Sequence, residues 1–347
     1  MFNKNNKITS KIAYITRLTS IYTVNMICMK KILGLTFFLV VFVSCKNEDA
    51  LELEIAAIPM HVDVERFDRA FAEAKPDDLA DLKKTFPFFF SSRIPDSVFV
   101  EQMKDSSQIA LNVATKEKFG DFKIQTNEIE SLFQHLKYYD KTFTEPRVIA
   151  FTNYVHYREK IVVTDTVVLL AVDNYLGADH EFYGNFPKYI AQNLRPSQLI
   201  VDVAGAYADK NIFQTQKKTF LDEMIFFGKQ LYFKDKVIPF KSDAEKIGYT
   251  QAQLEFAQVN EDMIWTEFVE NEMLYDTNRS LVSRFIADAP FSKFQLELDN
   301  QTPGRLGQFI GWQIVRAYMR NNDVSLQEML QTDASVIFNK SNYKPAK

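Results

Sequence analysis

Glycine and proline are scarce in this chain, 10 and 11 among 347 residues, and that scarcity most limits what it can fold into. A turn-rich all-β body needs these residues at its reversals and long helices exclude them, so the counts point to helix. With 46% hydrophobic and 25% charged residues, the composition is that of an ordinary globular protein with matter for one large or two modest cores. The only two cysteines, Cys28 and Cys45, lie near the N-terminus. No intrachain disulfide can staple the body, and any metal there would have to be held by His, Asp or Glu.

The N-terminal end reads as an address. Met29-Lys30-Lys31 is followed by the apolar run Ile32 to Val43 and then by Ser44-Cys45-Lys46, a charged region, a hydrophobic region and a small residue before a cysteine. The run is too short for a membrane span, which needs roughly 20 apolar residues. The pattern is that of a bacterial lipoprotein signal, with cleavage before Cys45, acylation of that residue and lipid as the only membrane anchor. Residues 1–28 precede a complete signal, so Met29 is the expected start. Residues 29–44 read as signal peptide, 45–59 as tether, 60–335 as a single globular domain and 336–347 as a polar tail. The first 44 residues carry six basic side chains and no acid, leaving 35 Lys and Arg against 45 Asp and Glu in the rest, a net of about −10. That balance disfavours nucleic acid and bare anionic lipid as partners of the body.

Hydrophobic period predicts an α+β fold, mostly helical, with a small mid-chain β-sheet. Five helices are expected between about residues 60 and 140, broken at Pro76, Pro87 and Pro95. Arg147 to Tyr154 and Ile161 to Val172 are rich in β-branched and aromatic residues, the second reading as strand, turn, strand. Helical period returns in Gln192 to Tyr207, Thr215 to Phe233, Thr250 to Tyr275, Thr277 to Ala287, Leu306 to Asn321 and Asp323 to Leu330. Phe220, Met224, Phe227 and Leu231 form one apolar stripe, expected to be core.

Candidate chemistry is thin. A helical zinc hydrolase needs two histidines one turn apart with an acid as base, yet His61, His135, His156 and His180 are far apart in sequence. His180-Glu181 has the first His and the Glu of such a motif, but Gly184 stands at the second ligand position. There is no glycine-rich phosphate loop, no Gly-x-Ser-x-Gly elbow and no cysteine nucleophile in the body. The most distinctive stretch runs from Thr302 to Arg316, a Pro303-Gly304 turn leading into a helix with Gly307 and Gly311 four residues apart. Such glycines let another backbone approach closely, and Arg305 at the helix start is placed to pair with an acid. Trp265 and Trp312 are expected on two long C-terminal helices.

Phe220 to Tyr232, Ile264-Trp265 with Glu267 and Glu270, Leu274-Tyr275, Asp173 to Gly177, Val64 to Asp68 and the segment Pro303 to Tyr318 together resemble the GldB family of gliding-motility lipoproteins of Bacteroidetes. The resemblance spans nearly all of residues 45–335. It implies a lipid-anchored component of the cell envelope, its membrane unresolved, working with other gliding-motility envelope proteins without a cofactor. The layout also resembles predicted zincin-like zinc peptidases, whose His-Glu-x-x-His helix would fall on Asp222 to Phe226. Glu223 keeps the base position, but Asp222 and Phe226 stand where the ligands would be, and a phenyl ring cannot coordinate metal. The chain therefore reads as a non-enzymatic, zincin-like scaffold with a degenerate metal site. Glu267, Glu270 and Arg305 are left as a candidate pocket. The rival is a metal-dependent hydrolase using Asp222, Glu223 and a downstream Glu.

Overall fold

A computed structural model describes residues 50–215, 218–294 and 299–346. The segment expected to be a signal peptide and Cys45, the expected lipidation residue, lie outside the described residues. The chain divides into two units after Ile58. In the first unit residues 50–56 are helical (α1), within the stretch expected to be tether. None of the helices among the described residues is long and apolar enough to cross a membrane.

The second unit opens with β1 (Val64–Arg66), which leads into α2 (Phe67–Glu73), α3 (Leu79–Thr85), α4 (Asp96–Lys104), α5 (Ser106–Phe119) and α6 (Lys123–Tyr139). The chain then returns as β2 (Arg147–Phe151) and closes the sheet with the hairpin β3 (Ile161–Val163) and β4 (Val167–Ala171). Strand order is β1-β2-β4-β3, with β1, β2 and β4 parallel and β3 antiparallel at the edge. The fold is α+β and mostly helical, but its sheet is not wholly mid-chain. β1 has three residues, two of them charged, too few to register as a strand by alternation.

Both faces of the sheet are covered, so its central strands are apolar throughout rather than alternating. Val148, Ala150, Val168 and Leu170 enter the large helical core. Ile149, Phe151, Val167 and Leu169 face a smaller cluster built on Phe67, Phe71, Phe86, Phe90 and Phe99. Phe67 stacks on Phe89 with centroids 4.2 Å apart, and Phe90 meets Phe99 edge-on at 4.9 Å.

After the sheet come α7 (Lys188–Ala191), α8 (Leu199–Asn211), α9 (Phe220–Val237), α10 (Asp243–Ile247), α11 (Gln251–Val259), α12 (Glu261–Glu270), α13 (Ser280–Phe285), α14 (Leu306–Asn321), α15 (Leu326–Gln331) and α16 (Ala334–Ser341). α9 is the central post. Phe220, Met224 and Leu231 of the expected stripe are buried, and so are Leu221, Ile225, Phe233 and Val237 around the cylinder. Each such side chain contributes on the order of 1.5–3 kcal/mol of transfer free energy. α9 crosses α14 with Gly228 against Gly311, where a Cβ on Gly228 would sit 2.9 Å from the Trp312 nitrogen and one on Gly311 would overlap the Met224 carbonyl. Gly307 faces the Phe285 carbonyl and Ile286 at the end of α13, with the Phe220 ring of α9 beside them.

Four expectations need correction. The segment Thr250 to Tyr275 is not one helix but α11, α12 and a 3-10 turn at Met273–Tyr275. Asn260 ends α11 because its side chain donates to the Phe256 carbonyl, competing with the helix ladder, and Glu272 adopts φ 52°. Trp265 thus lies on a helix of ten residues. The helix expected from Gln192 starts at Leu199, since Pro196 holds Arg195 extended and opens a 3-10 turn instead. Residues 336–347 are not simply a polar tail: α16 buries Ile337 and Ser341, and the Tyr343 hydroxyl reaches Glu261 at 2.8 Å.

Candidate functional site

The positions that would carry a metal helix lie at the start of α9, and each side chain there has structural employment. Asp222 is the third residue of a capping box: its N–H donates to the Thr219 hydroxyl, while its carboxylate accepts the N–H of Thr219 at 3.0 Å and of Lys218 at 3.1 Å. Glu223, 13% exposed, lies 3.7 Å from the Arg279 guanidinium. The Phe226 ring meets Phe227 nearly perpendicular, centroids 5.4 Å apart. Among the described residues no group of three or more His, Cys, Asp or Glu is placed to hold a metal ion. His180 caps a 3-10 turn, its Nδ1 accepting from the Phe182 N–H.

Glu267, Glu270 and Arg305 do not share a pocket. Glu270 is exposed on α12, and the Glu267 carbonyl accepts from the Asn271 side chain. Arg305 instead precedes α14 in the left-handed conformation, φ 61°, and turns its guanidinium into a cleft of about 410 Å³ whose wall includes neither glutamate. There its Nη2 donates to the Gly248 carbonyl at 3.0 Å, and its expected acid is Asp288, at 3.5 Å. Asn193 and Gln192 donate to the same carbonyl, at 3.0 and 3.2 Å. Arg305 also lies 5.4 Å from the Tyr249 ring centroid.

The cleft draws together segments that are distant in sequence. Lys160 follows the loop after β2 and pairs with Asp202 of α8 at 2.6 Å, while the Tyr175 hydroxyl donates to the same carboxylate at 2.7 Å. Lys234 of α9 enters from below, its ammonium donating to the Lys246 carbonyl at 3.2 Å. Burial pushes the Lys234 amine down to about 8; Asp202 and Asp209 oppose that fall, while Arg305 and Lys160 add to it. Lys160 and Lys234 escaped the sequence reading. Lys234 left one signal there: it continues the Phe220–Leu231 stripe, a cation three residues beyond the last apolar member.

Two further polar clusters brace the cleft. Arg316 of α14 forks between Asp235 and Asp243, with four N–H to oxygen distances of 2.8–3.0 Å. Trp312 donates to Asp235 at 2.9 Å beneath the guanidinium, and Lys246 lies 3.1 Å from the same Asp235. Burial works against the Asp243 carboxylate, but Arg316 outweighs it and holds the pKa below the usual range. On the other side, the buried Asp173 carboxylate accepts the N–H groups of Asn153 and Val155, at 3.1 and 2.8 Å. Val155, a β-branched residue at φ 52°, is thereby held in strained backbone leading to Tyr157 and Arg158 at the cleft's rim. Desolvation raises Asp173 to about 6 despite these bonds.

Residues 48–345, nearly all of the chain beyond the leader, match the family described as Gliding motility protein GldB. The chain belongs to the GldB family. Its role is in gliding motility, and its segments quoted above for that resemblance now have places: Asp173 to Gly177 orient Asp202, Phe220 to Tyr232 form the central helix, and Pro303 to Tyr318 carry Arg305, Gly311 and Arg316. No curated protein and no solved structure matches the chain.

Proposed function

We propose that this GldB-family protein is a lipid-anchored component of the cell envelope that serves gliding as a non-catalytic assembly or binding protein. The observation that carries the reading is the start of α9, where the carboxylates a hydrolase would need are committed to the fold. Asp222 closes the helix cap, Glu223 faces Arg279, and Phe226 packs on Phe227. On this reading the layout shared with zinc peptidases persists as scaffold, and gliding needs the protein's surfaces rather than a proton transfer.

Glu223→Gln at the native locus tests it. The substitution keeps shape and most hydrogen bonding but removes the base, whose loss costs a catalyst on the order of 100- to 10,000-fold in rate. Gliding at the wild-type rate, with zinc content of the purified protein well below one per chain, is the expected result. Normal accumulation of the variant together with lost gliding would establish the metal-dependent hydrolase instead.

A further inference from the structure

The cleft at Lys234 has more positive charge than the fold itself neutralises. Five cationic side chains line it against two carboxylates, Asp202 and Asp288. Lys160 is matched by Asp202, Arg305 by Asp288, and Lys246 by Asp235 behind the wall. Two cations remain without a carboxylate in ion-pair range among the described residues: Arg158 at the rim, over the Tyr157 ring, and Lys234 in the interior. An ammonium whose bonded partner is one main-chain carbonyl is costly, because its hydration is lost and the nearest carboxylate, Asp202, is already engaged by Lys160 and the Tyr175 hydroxyl.

The surroundings hold that ammonium toward the cavity. The Lys234 stem runs along α8 beside Gly205, where even an added Cβ would stand 3.4 Å from Cε, in ordinary contact. Arg305 and Asn193 are fixed side by side by the shared Gly248 carbonyl, each with further N–H groups to offer. Asp288, the partner of Arg305, is 63% exposed and its contact is 3.5 Å, so a better-placed anion would displace it at little cost.

From this arrangement we infer that the cleft is a binding site for a small phosphate monoester, with Lys234 and Arg305 on the phosphate oxygens and Asn193 and Arg158 completing the cradle. A monoester is dianionic near neutral pH, which matches the two unneutralised cations, and about 410 Å³ accommodates the phosphate with a short organic stem. Tyr157 and Tyr189 line the cleft where that stem would lie. The site is separate from the start of α9 and holds whether or not the protein is catalytic. Free metabolites and the headgroup of a phosphatidic-acid-type lipid share this chemistry.

The test titrates the full lipoprotein in neutral detergent by calorimetry with inorganic phosphate, with glycerol 3-phosphate and with a water-soluble short-chain phosphatidic acid, short-chain phosphatidylcholine being the control. Saturable one-site binding is expected, weakened about 10- to 100-fold by Lys234→Met and a few-fold by the exposed Arg158→Gln. Lys234→Met keeps the stem, and its melting in phosphate-free buffer should equal or exceed that of wild type because an uncompensated charge is gone. Binding of the soluble phosphates that depends on Lys234 supports a metabolite site. Lys234-dependent binding of the short-chain phosphatidic acid, with no binding of inorganic phosphate or glycerol 3-phosphate, supports the lipid source. Absence of both, or binding that neither variant weakens, overturns the assignment.

Discussion

Gly311→Ala should be the most damaging single-methyl change in the protein. The added Cβ would overlap the carbonyl of Met224 and stand 3.1 Å from its Cα, and both are backbone atoms of a buried helix. No rotamer relieves such a clash, so α14 and α9 must separate, and a gap of about 1 Å forfeits up to half of each dispersion contact across it. The side chains so loosened include Met224, Leu231, Phe309, Trp312 and Val315, all buried. We expect a loss of about 3–5 kcal/mol, above the usual 1–3 for overpacking. Urea unfolding followed by far-UV circular dichroism measures it. Gly205→Ala is the control with the same chemistry and opposite sign, because its Cβ meets only the end of Lys234 at ordinary contact distance and the helix gains up to about 1 kcal/mol. Gly228→Ala should cost nearly as much as Gly311→Ala, and the double variant less than their sum, since helices already parted pay little again. A loss below about 1 kcal/mol for Gly311→Ala, or strict additivity, would refute the close-crossing argument.

Asp235→Asn should cost about 2–3 kcal/mol, less than a fully buried pair because Arg316 is partly solvated, and should shift tryptophan emission by releasing Trp312; unchanged stability and emission would show the network to be redundant. Asp173 titrates near 6 when folded against 3.8 as its ordinary value, so its contribution is present in full below pH 4 and lost as pH rises through 6, about 3 kcal/mol in all. Stability of wild type relative to Asp173→Asn should therefore fall across that window, and parallel profiles would refute the assignment. Cys45→Ala should leave an uncleaved precursor or a protein lost from its membrane fraction, whereas unchanged processing and lipid labelling would end the lipoprotein reading.

What was legible in the sequence was whatever a single element announces by itself. α14 begins and ends where the Pro303-Gly304 turn and the apolar period place it, and the β3–β4 hairpin is plain from its β-branched runs. The split between α11 and α12 was hidden, because Asn260 breaks a helix through one side-chain bond that period analysis does not weigh. Phe226 could be rejected as a ligand from its chemistry alone. The cleft was not legible, since Lys160, Lys234 and Arg305 meet only through the packing of α8, α9 and the turn before α14. Glu267, Glu270 and Arg305 group together in the sequence because all three lie in segments that carry the family resemblance, and the fold sends Arg305 to a cleft whose wall includes neither glutamate.

The parallel pairing of β1 with β2 has a mechanical consequence. A lipid at Cys45 would make the segment before Val64 the line along which traction reaches the body, and that line passes Val62, buried and bonded to Glu130 at 3.0 Å, directly into a strand. Pulled along its own axis, β1 is loaded in shear: its three register pairs with Val148, Ile149 and Ala150, and the Glu65–Arg147 fork at 2.7 and 2.8 Å, resist together instead of opening one after another like a zipper. Rupture under load is governed by an unfolding rate rather than by equilibrium stability. With a lipid at Cys45, a short strand too small to notice in the sequence would thus be the fastening point of a protein that works in a moving cell.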